Sequence, residues 1–137
     1  MYDRKITVIF KYLTQLKQSI SLEEKFYILM DMAKELIDVD RCTIWRYNQE
    51  TQELIAKFAH GVDCVLKEPI GSGVVGHCFN TKETIIINDT KSNPLFDNHI
   101  DILTGYHTKN IISIPIINSK GEILGVFQAL NKLGNYK

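Results

Sequence analysis

The stretch Gly71-Ser72-Gly73-Val74-Val75-Gly76 decides the fold, because it admits two incompatible readings. It matches G-x-G-x-x-G, opens a helical pattern that runs from Val74 to Asn80, and has Asp89 downstream. That is the outline of a dinucleotide-binding βαβ unit. The residues before it say otherwise. Val65-Leu66-Lys67-Glu68-Pro69-Ile70 is too polar for the buried parallel strand with which such a unit begins. The chain on both sides is also built from hairpins. Cys42–Tyr47 and Leu54–Ala59 alternate with period two across the polar turn 48–52, and Asn110–Ile117 and Glu122–Leu130 do so across Asn118-Ser119-Lys120-Gly121. Strands joined by short turns are antiparallel.

Working outward, Thr84–Asn88 reads as a buried strand carrying Ile85, Ile86 and Ile87. Asp89–His107 is a long polar connection with one helical turn expected around Asn98–Leu103. Pro115 lies inside a predicted strand, where proline favours an edge or a bulge. Upstream, Ser21 and Glu24 form a capping box before a helix with Leu22, Phe26, Leu29, Met30, Ala33, Leu36 and Ile37 on one broad face. Before that, Asp3–Ile20 is helical by pattern. Ile6, Ile9, Leu13, Leu16 and Ile20 form a short heptad seam, which suits a helix pairing with one partner as well as a helix packed on its own domain. The sum is an α+β fold: one antiparallel sheet of about six strands, the N-terminal helices on one face, and short helices and loops over the other.

Composition narrows the function. The chain has 137 residues, 16 basic and 16 acidic side chains, and three cysteines. One domain fits this length. Zero net charge gives no electrostatic reason to expect nucleic acid or an anionic membrane as partner. No stretch approaches the ~20 apolar residues of a membrane span, and the start is not a signal peptide. An odd cysteine count suggests reduced thiols in the cytoplasm. Cys42, Cys64, Cys78 and the four histidines have no zinc spacing, and no nucleophile elbow, Ser/His/Asp order or kinase motif is present. What remains is local. The glycine turn presents the first amides of a helix, which favour an anion, although the same glycines serve a bare turn. Asp97, Asp101, Thr104, His107 and Thr108 group hydrogen-bonding side chains on the long connection. Such groups suit the edges of a heterocycle or ribose, or simply a solvated loop.

At this point several motifs agree in order. G-S-G-V-V-G-H at 71–77, N-D-T-K-S-N-P-L-F-D at 88–97, I-D-I-L-T-G-Y-H-T-K-N-I-I-S-I-P-I at 100–116 and G-E-I-L-G-V-F-Q-A-L-N-K at 121–132 resemble a GAF domain. The likeness is to the subgroup found in cyclic-nucleotide phosphodiesterases and adenylyl cyclases. It covers Ser21 to Lys132. The resemblance implies a PAS-related fold and a regulatory, non-enzymatic sensory module of a larger signalling protein. It implies cAMP or cGMP as ligand, held with its phosphate at Val74, Val75 and Gly76, and with base and sugar at Thr43, Asp101, Thr104, Thr108 and Gln128. Asn131 and Lys132 match the family's structural N-K motif. Residues 1–20 are then a dimerisation helix and linker. Residues 21–137 are the sensory domain, with its terminal helix and the output domain expected beyond the chain, so that Lys132 is expected to lack its usual partner.

The chain departs from the relatives in places. Ala59 and His60 stand where an aromatic residue and an acid are common, and Asp97 where an aromatic is common. Two other readings remain. One is a ligand-free dimerisation module. The other is the free methionine sulfoxide reductase branch, whose pattern asks for cysteine where this chain has Val75, and for cysteine in the 89–108 loop, which has none. The cysteine setting of the bilin-binding branch is missing as well. With zero net charge, any anion must be held by local amides and not by a basic field.

Overall fold

The Ser21 hydroxyl accepts the Glu24 amide at 3.0 Å and so starts helix α2 (Leu22–Ile37). The computed structural model describes residues 2–62 and 64–134; the chain end Asn135-Tyr136-Lys137, on which the expectation of a missing terminal helix bears, lies outside them. Helix α2 ends where Asp38 turns left-handed, at a φ of 57°, with its amide bonded to the Lys34 carbonyl. The chain passes at once into β1 (Val39–Asn48). The turn to β2 (Glu53–Ala59) is made by Asn48, whose Oδ1 accepts the Glu50 amide at 3.0 Å. β3 (Leu66–Pro69) follows, then α3 (Gly73–Thr81), β4 (Ile85–Ile87), a 3-10 turn at Thr90–Ser92 and the short α4 (His99–Thr104). β5 (Ile111–Ile117) and β6 (Ile123–Lys132) close the sheet. Asn118 makes their turn as Asn48 makes the first, accepting from Lys120 and Glu122.

The sheet is antiparallel throughout, in the order β3-β2-β1-β6-β5-β4. One face packs on α2 through Met30, Cys42 and Ala129, with Ile44, Phe58 and Phe127 around them. The other packs on α3 through Trp45, Leu54, Val75, Cys78, Phe79 and Val126. Period-two alternation along β1 and β6 assigns each residue to its face. Gly125 lets the two central strands meet: a Cβ there would stand 2.0 Å from the Trp45 carbonyl oxygen.

Three expectations are decided by the structure. The isoleucine strand is buried on one face only: Ile87 is buried but Ile86 is 64% exposed, because β4 is a sheet edge. Pro115 meets the expectation of an edge. β4 covers only Ile111–Ser113, so β5 is locally an edge at Pro115. The first helix, α1, spans Tyr2–Gln18 and packs along α2, with Val8 buried and Lys11, Tyr12 and Arg4 all bonded to Glu35 or its carbonyl. That contact leaves the heptad seam outside it, with Ile6, Ile9, Leu13 and Ile20 exposed.

Because the obstacle at Gly125 is backbone on the central strand, it cannot swing aside. Gly125→Ala is expected to cost about 2–3 kcal/mol, read as a fall in Tm of about 10 °C. A melt within 2 °C of the parent would show that the β1–β6 contact yields.

Candidate functional site

β1, β5 and β6 turn Thr43, Trp45, Ile111, Gln128 and Leu130 toward α3 and α4. Thr43 pairs across the ladder with Gln128, and Gln128 in turn with Ser113. The space between this face and the two helices holds two small cavities, of about 50 and about 30 Å³. Val74, Val75, Asp101, Thr108 and Gln128 line the first; Thr43, Asp101, Thr104 and Gln128 line the second. Seven of the eight expected ligand contacts are thus gathered around one covered space.

Gly76 is the exception. Its amide bonds to the Ser72 carbonyl at 3.1 Å, as the fourth residue of a helix capped at Ser72 must, so it is not available to an anion. Gly76 serves packing instead: a Cβ would stand 2.8 Å from the Gly71 amide nitrogen and the Pro69 oxygen. The amides left over are those of Gly73, Val74 and Val75.

The polar side chains are engaged with one another. The Trp45 indole donates to Gln128 Oε1 at 3.2 Å. Asp101 closes the covering loop as a staple, one oxygen accepting the Thr108 amide and the other the Thr108 hydroxyl, both at 2.7 Å. Thr104 donates back to the Ile100 carbonyl within its own helix. Thr90 donates to the Thr108 carbonyl at 2.7 Å. Outside the staple lies a larger open groove of about 760 Å³, and Phe96, Asp97, Asp101 and Thr108 form the wall it shares with the inner cavity.

The N-K motif anchors the exit of this loop. Asn131, left-handed at a φ of 59°, accepts the Lys109 amide at 2.6 Å and donates to the His107 carbonyl at 2.8 Å and the Tyr106 hydroxyl at 2.9 Å. Tyr106 also donates to Asp40 and lies under the Arg41 guanidinium; burial and Asp40 push its phenol up to about 12. Lys132, whose usual partner was expected beyond the chain, donates its ammonium to the Ile37 carbonyl at the end of α2, where unsatisfied carbonyls favour a cation.

Both departures from the relatives line the covered space, Asp97 at the first cavity and His60 at the second, and each is already bonded within the protein. His60 is spent on the scaffold, its Nδ1 accepting the Cys42 amide at 2.9 Å and its Nε2 facing Asp31 at 2.7 Å. Asp97 accepts the His99 amide at 3.0 Å, and that bond holds its carboxyl below the usual range.

Sequence reasoning missed Glu68. Its side chain is 5% exposed, Oε2 faces His99 Nε2 at 3.2 Å, and Oε1 has no partner among the described residues. Burial pushes its carboxyl pKa up, opposed by Ser72 and His99. The signal was in the alternation: with Leu66 inward, Glu68 must also be inward. Ser113, inward by the alternation of β5, likewise has a buried hydroxyl with no partner among the described residues.

The thiols do not form a redox pair. Cys42 packs on the α2 face and Cys78 on the α3 face, and burial pushes them up to about 12 and about 11. Among the described residues no group of acids, histidines and cysteines forms a metal site, and no helix is long and apolar enough to cross a membrane.

This architecture has close counterparts. The GAF domain of a phosphoenolpyruvate-protein phosphotransferase from Coxiella burnetii superposes with a TM-score of 0.78 at 19% identity, covering 93% of this chain and 77% of that one. A free methionine-R-sulfoxide reductase from Neisseria meningitidis gives 0.74 at 16%, covering 97% and 77%. At these identities the likeness concerns the fold alone. In sequence, the chain is 34% identical over 131 residues to a dual 3',5'-cyclic-AMP and -GMP phosphodiesterase 11A from Takifugu rubripes, covering 85% of this chain and 14% of that protein. It is 28% identical to the human rod cGMP-specific 3',5'-cyclic phosphodiesterase subunit alpha, covering 92% and 16%. The chain therefore spans under a fifth of the curated relatives it matches. The GAF domain family model matches residues 21–135, and the chain belongs to that family.

Proposed function

We propose that this chain is the sensory module of a larger cytoplasmic signalling protein, and that the space under α3 and α4 takes cAMP or cGMP. The observation that carries this reading is the convergence of free helix amides at Gly73–Val75 with Thr43, Asp101, Thr104, Thr108 and Gln128 around one covered space. Its relatives are cyclic-nucleotide phosphodiesterases by name. The inner cavities, of about 50 and about 30 Å³, are far below the ~300–1,000 Å³ of a ligand site. The outer groove of about 760 Å³ is within that range, and it shares Phe96, Asp97, Asp101 and Thr108 with the first inner cavity and Asp101 and Tyr106 with the second. Binding therefore displaces α4 and opens the Asp101–Thr108 staple. A ligand that prefers the displaced form shifts the population toward it, and an attached output domain reads the change.

Titration calorimetry with cAMP and with cGMP is expected to give saturable heat with one of them, and hydrogen exchange across 97–108 to change on binding. No heat with either nucleotide removes the cyclic-nucleotide reading. Heat without a change in 97–108 removes α4 as the moving part.

A second reading has its own support. Ile6, Ile9 and Leu13 repeat at heptad spacing on the face of α1 turned away from α2, Phe10 beside them is 65% exposed, and the exposed Ile20 continues the spacing just past the helix end. We propose that α1 joins two copies of this chain, whether or not the pocket binds a ligand. Sedimentation is expected to show a dimer, converted to monomer by Ile9→Asp with Leu13→Asp. A wild-type monomer at about 100 μM, where an association of roughly 6 kcal/mol would already be visible, would remove it.

A further inference from the structure

Glu68 has no task in the reading above. Yet it stands at the place where that reading puts a phosphate. A Cβ built on Gly73, the first residue of α3, would meet the Glu68 carboxyl carbon and Oε1 at 3.4 Å. Gly73 and Val74, which carry free amides, line the same inner cavity as Glu68. Oε1 is buried there without a donor, although a carboxylate is an acceptor at both oxygens. Oε2 reaches across to His99 Nε2 at 3.2 Å, on the covering helix α4.

We propose that Glu68 is a tethered anion that occupies the phosphate subsite at the α3 N-terminus, so that it decides how readily the pocket accepts an anionic ligand. This rests on the cyclic-nucleotide reading of the same pocket. The charged surroundings give the carboxylate little room for a second anion. Asp97 and Asp101 line the cavity with it, while no lysine or arginine does. Ser72 contributes a hydroxyl from the turn, His99 an imidazole, and the neighbouring strand an uncharged Leu54 opposite Glu68. A phosphate brought beside ionised Glu68 meets a full like charge at short range in a poorly solvated site. Protonated Glu68 is instead a donor to the phosphate, and His99, released from it, becomes a second. Burial already favours that neutral form. The direction follows: as pH falls through the raised pKa of Glu68, the repulsion disappears and affinity for an anion rises. The His99 contact ties the same event to α4, since displacing Glu68 also breaks one of the contacts that hold the covering helix.

The test is calorimetry of cAMP and cGMP on the full 137-residue chain and on Glu68→Gln, at high and low pH. Removing one adjacent charge is expected to tighten binding at neutral to basic pH by at least about tenfold. The wild-type chain is expected to tighten as pH falls and to approach the variant, which changes little. Equal affinities that do not vary with pH overturn the inference and leave the nucleotide reading standing. No binding by either protein at either pH overturns both. Where Glu68→Gln fails to melt cooperatively, the wild-type profile alone decides: tightening toward acid supports the tethered anion, and a flat or opposite profile overturns it.

Discussion

β1 and β6 meet at the middle of the sheet, and the covered space depends on that one ladder. Their contact joins residues 83 apart in sequence at the Trp45–Gln128 hydrogen bond. It sets Thr43 against Gln128 and brings the Trp45 carbonyl against Gly125, where no side chain fits. A slip of one residue would turn Thr43, Trp45 and Gln128 toward α2 and send Cys42, Ile44 and Phe127 into the pocket. The register is therefore held twice, by the apolar pattern on the α2 face and by the glycine at the crossing point. Such a distant pairing cannot form until the intervening chain has been organised. The hairpins help, because each is closed locally by an asparagine turn at Asn48 or Asn118.

On this frame the chain solves a charge problem by position. Its net charge is zero, and the cavity beside α3 is lined by three carboxylates and no lysine or arginine, Arg41 lining only the neighbouring cavity beside Thr43. What is available is the α3 N-terminus, whose first residues, Gly73, Val74 and Val75, line the cavity. A helix end of this kind favours a nearby negative charge whether the charge belongs to a ligand or to the protein. Glu68 supplies one from within. The local amides suggested by the sequence have a charged neighbour: the Glu68 carboxyl carbon lies 3.4 Å from where a Gly73 Cβ would stand, and its Oε1 has no partner among the described residues.

The architecture was legible because its signals are local. The Ser21 cap, the switch from helical to period-two spacing after Asp38, and the two asparagine turns each act over a few residues. Seven expected contacts were brought to one place, although their mutual arrangement was not legible. Asp101 and Thr108, both expected on a ligand, are bonded to each other, and this depends on how a loop folds back on itself. Gly76 looked like an anion-binding amide until the helix start was fixed at Gly73, which commits the Gly76 amide to Ser72. Ile86 was misjudged for a physical reason, the same one that gives Pro115 its local edge. Strand order determines which positions are edges, and strand order is a tertiary property that periodicity does not encode. Glu68 was passed over because it lies in a stretch read as polar, where one inward acid is hard to distinguish from its outward neighbour Lys67.

The same strand that forms the floor of the pocket also reaches the helices behind it. Asn131 holds Tyr106, His107 and Lys109 at the exit of the covering loop, and the next residue, Lys132, is bonded to the last carbonyl of α2. Leu133 then donates to Asp38, the residue that ends α2. Thus one end of β6 fastens the cover on the front of the sheet and the helix on the back. A displacement of α4 that carries residues 106–110 with it must either break the bonds to Asn131 or pull on β6 where it is tied to α2. Since α1 is fastened to α2 through Glu35, the exposed seam of α1 stands at the far end of this chain of contacts. Contiguity alone does not make a signal, because coupling requires an element with two discrete arrangements. The element here with a bonded closed form and a groove to open into is α4 with its Asp101 staple.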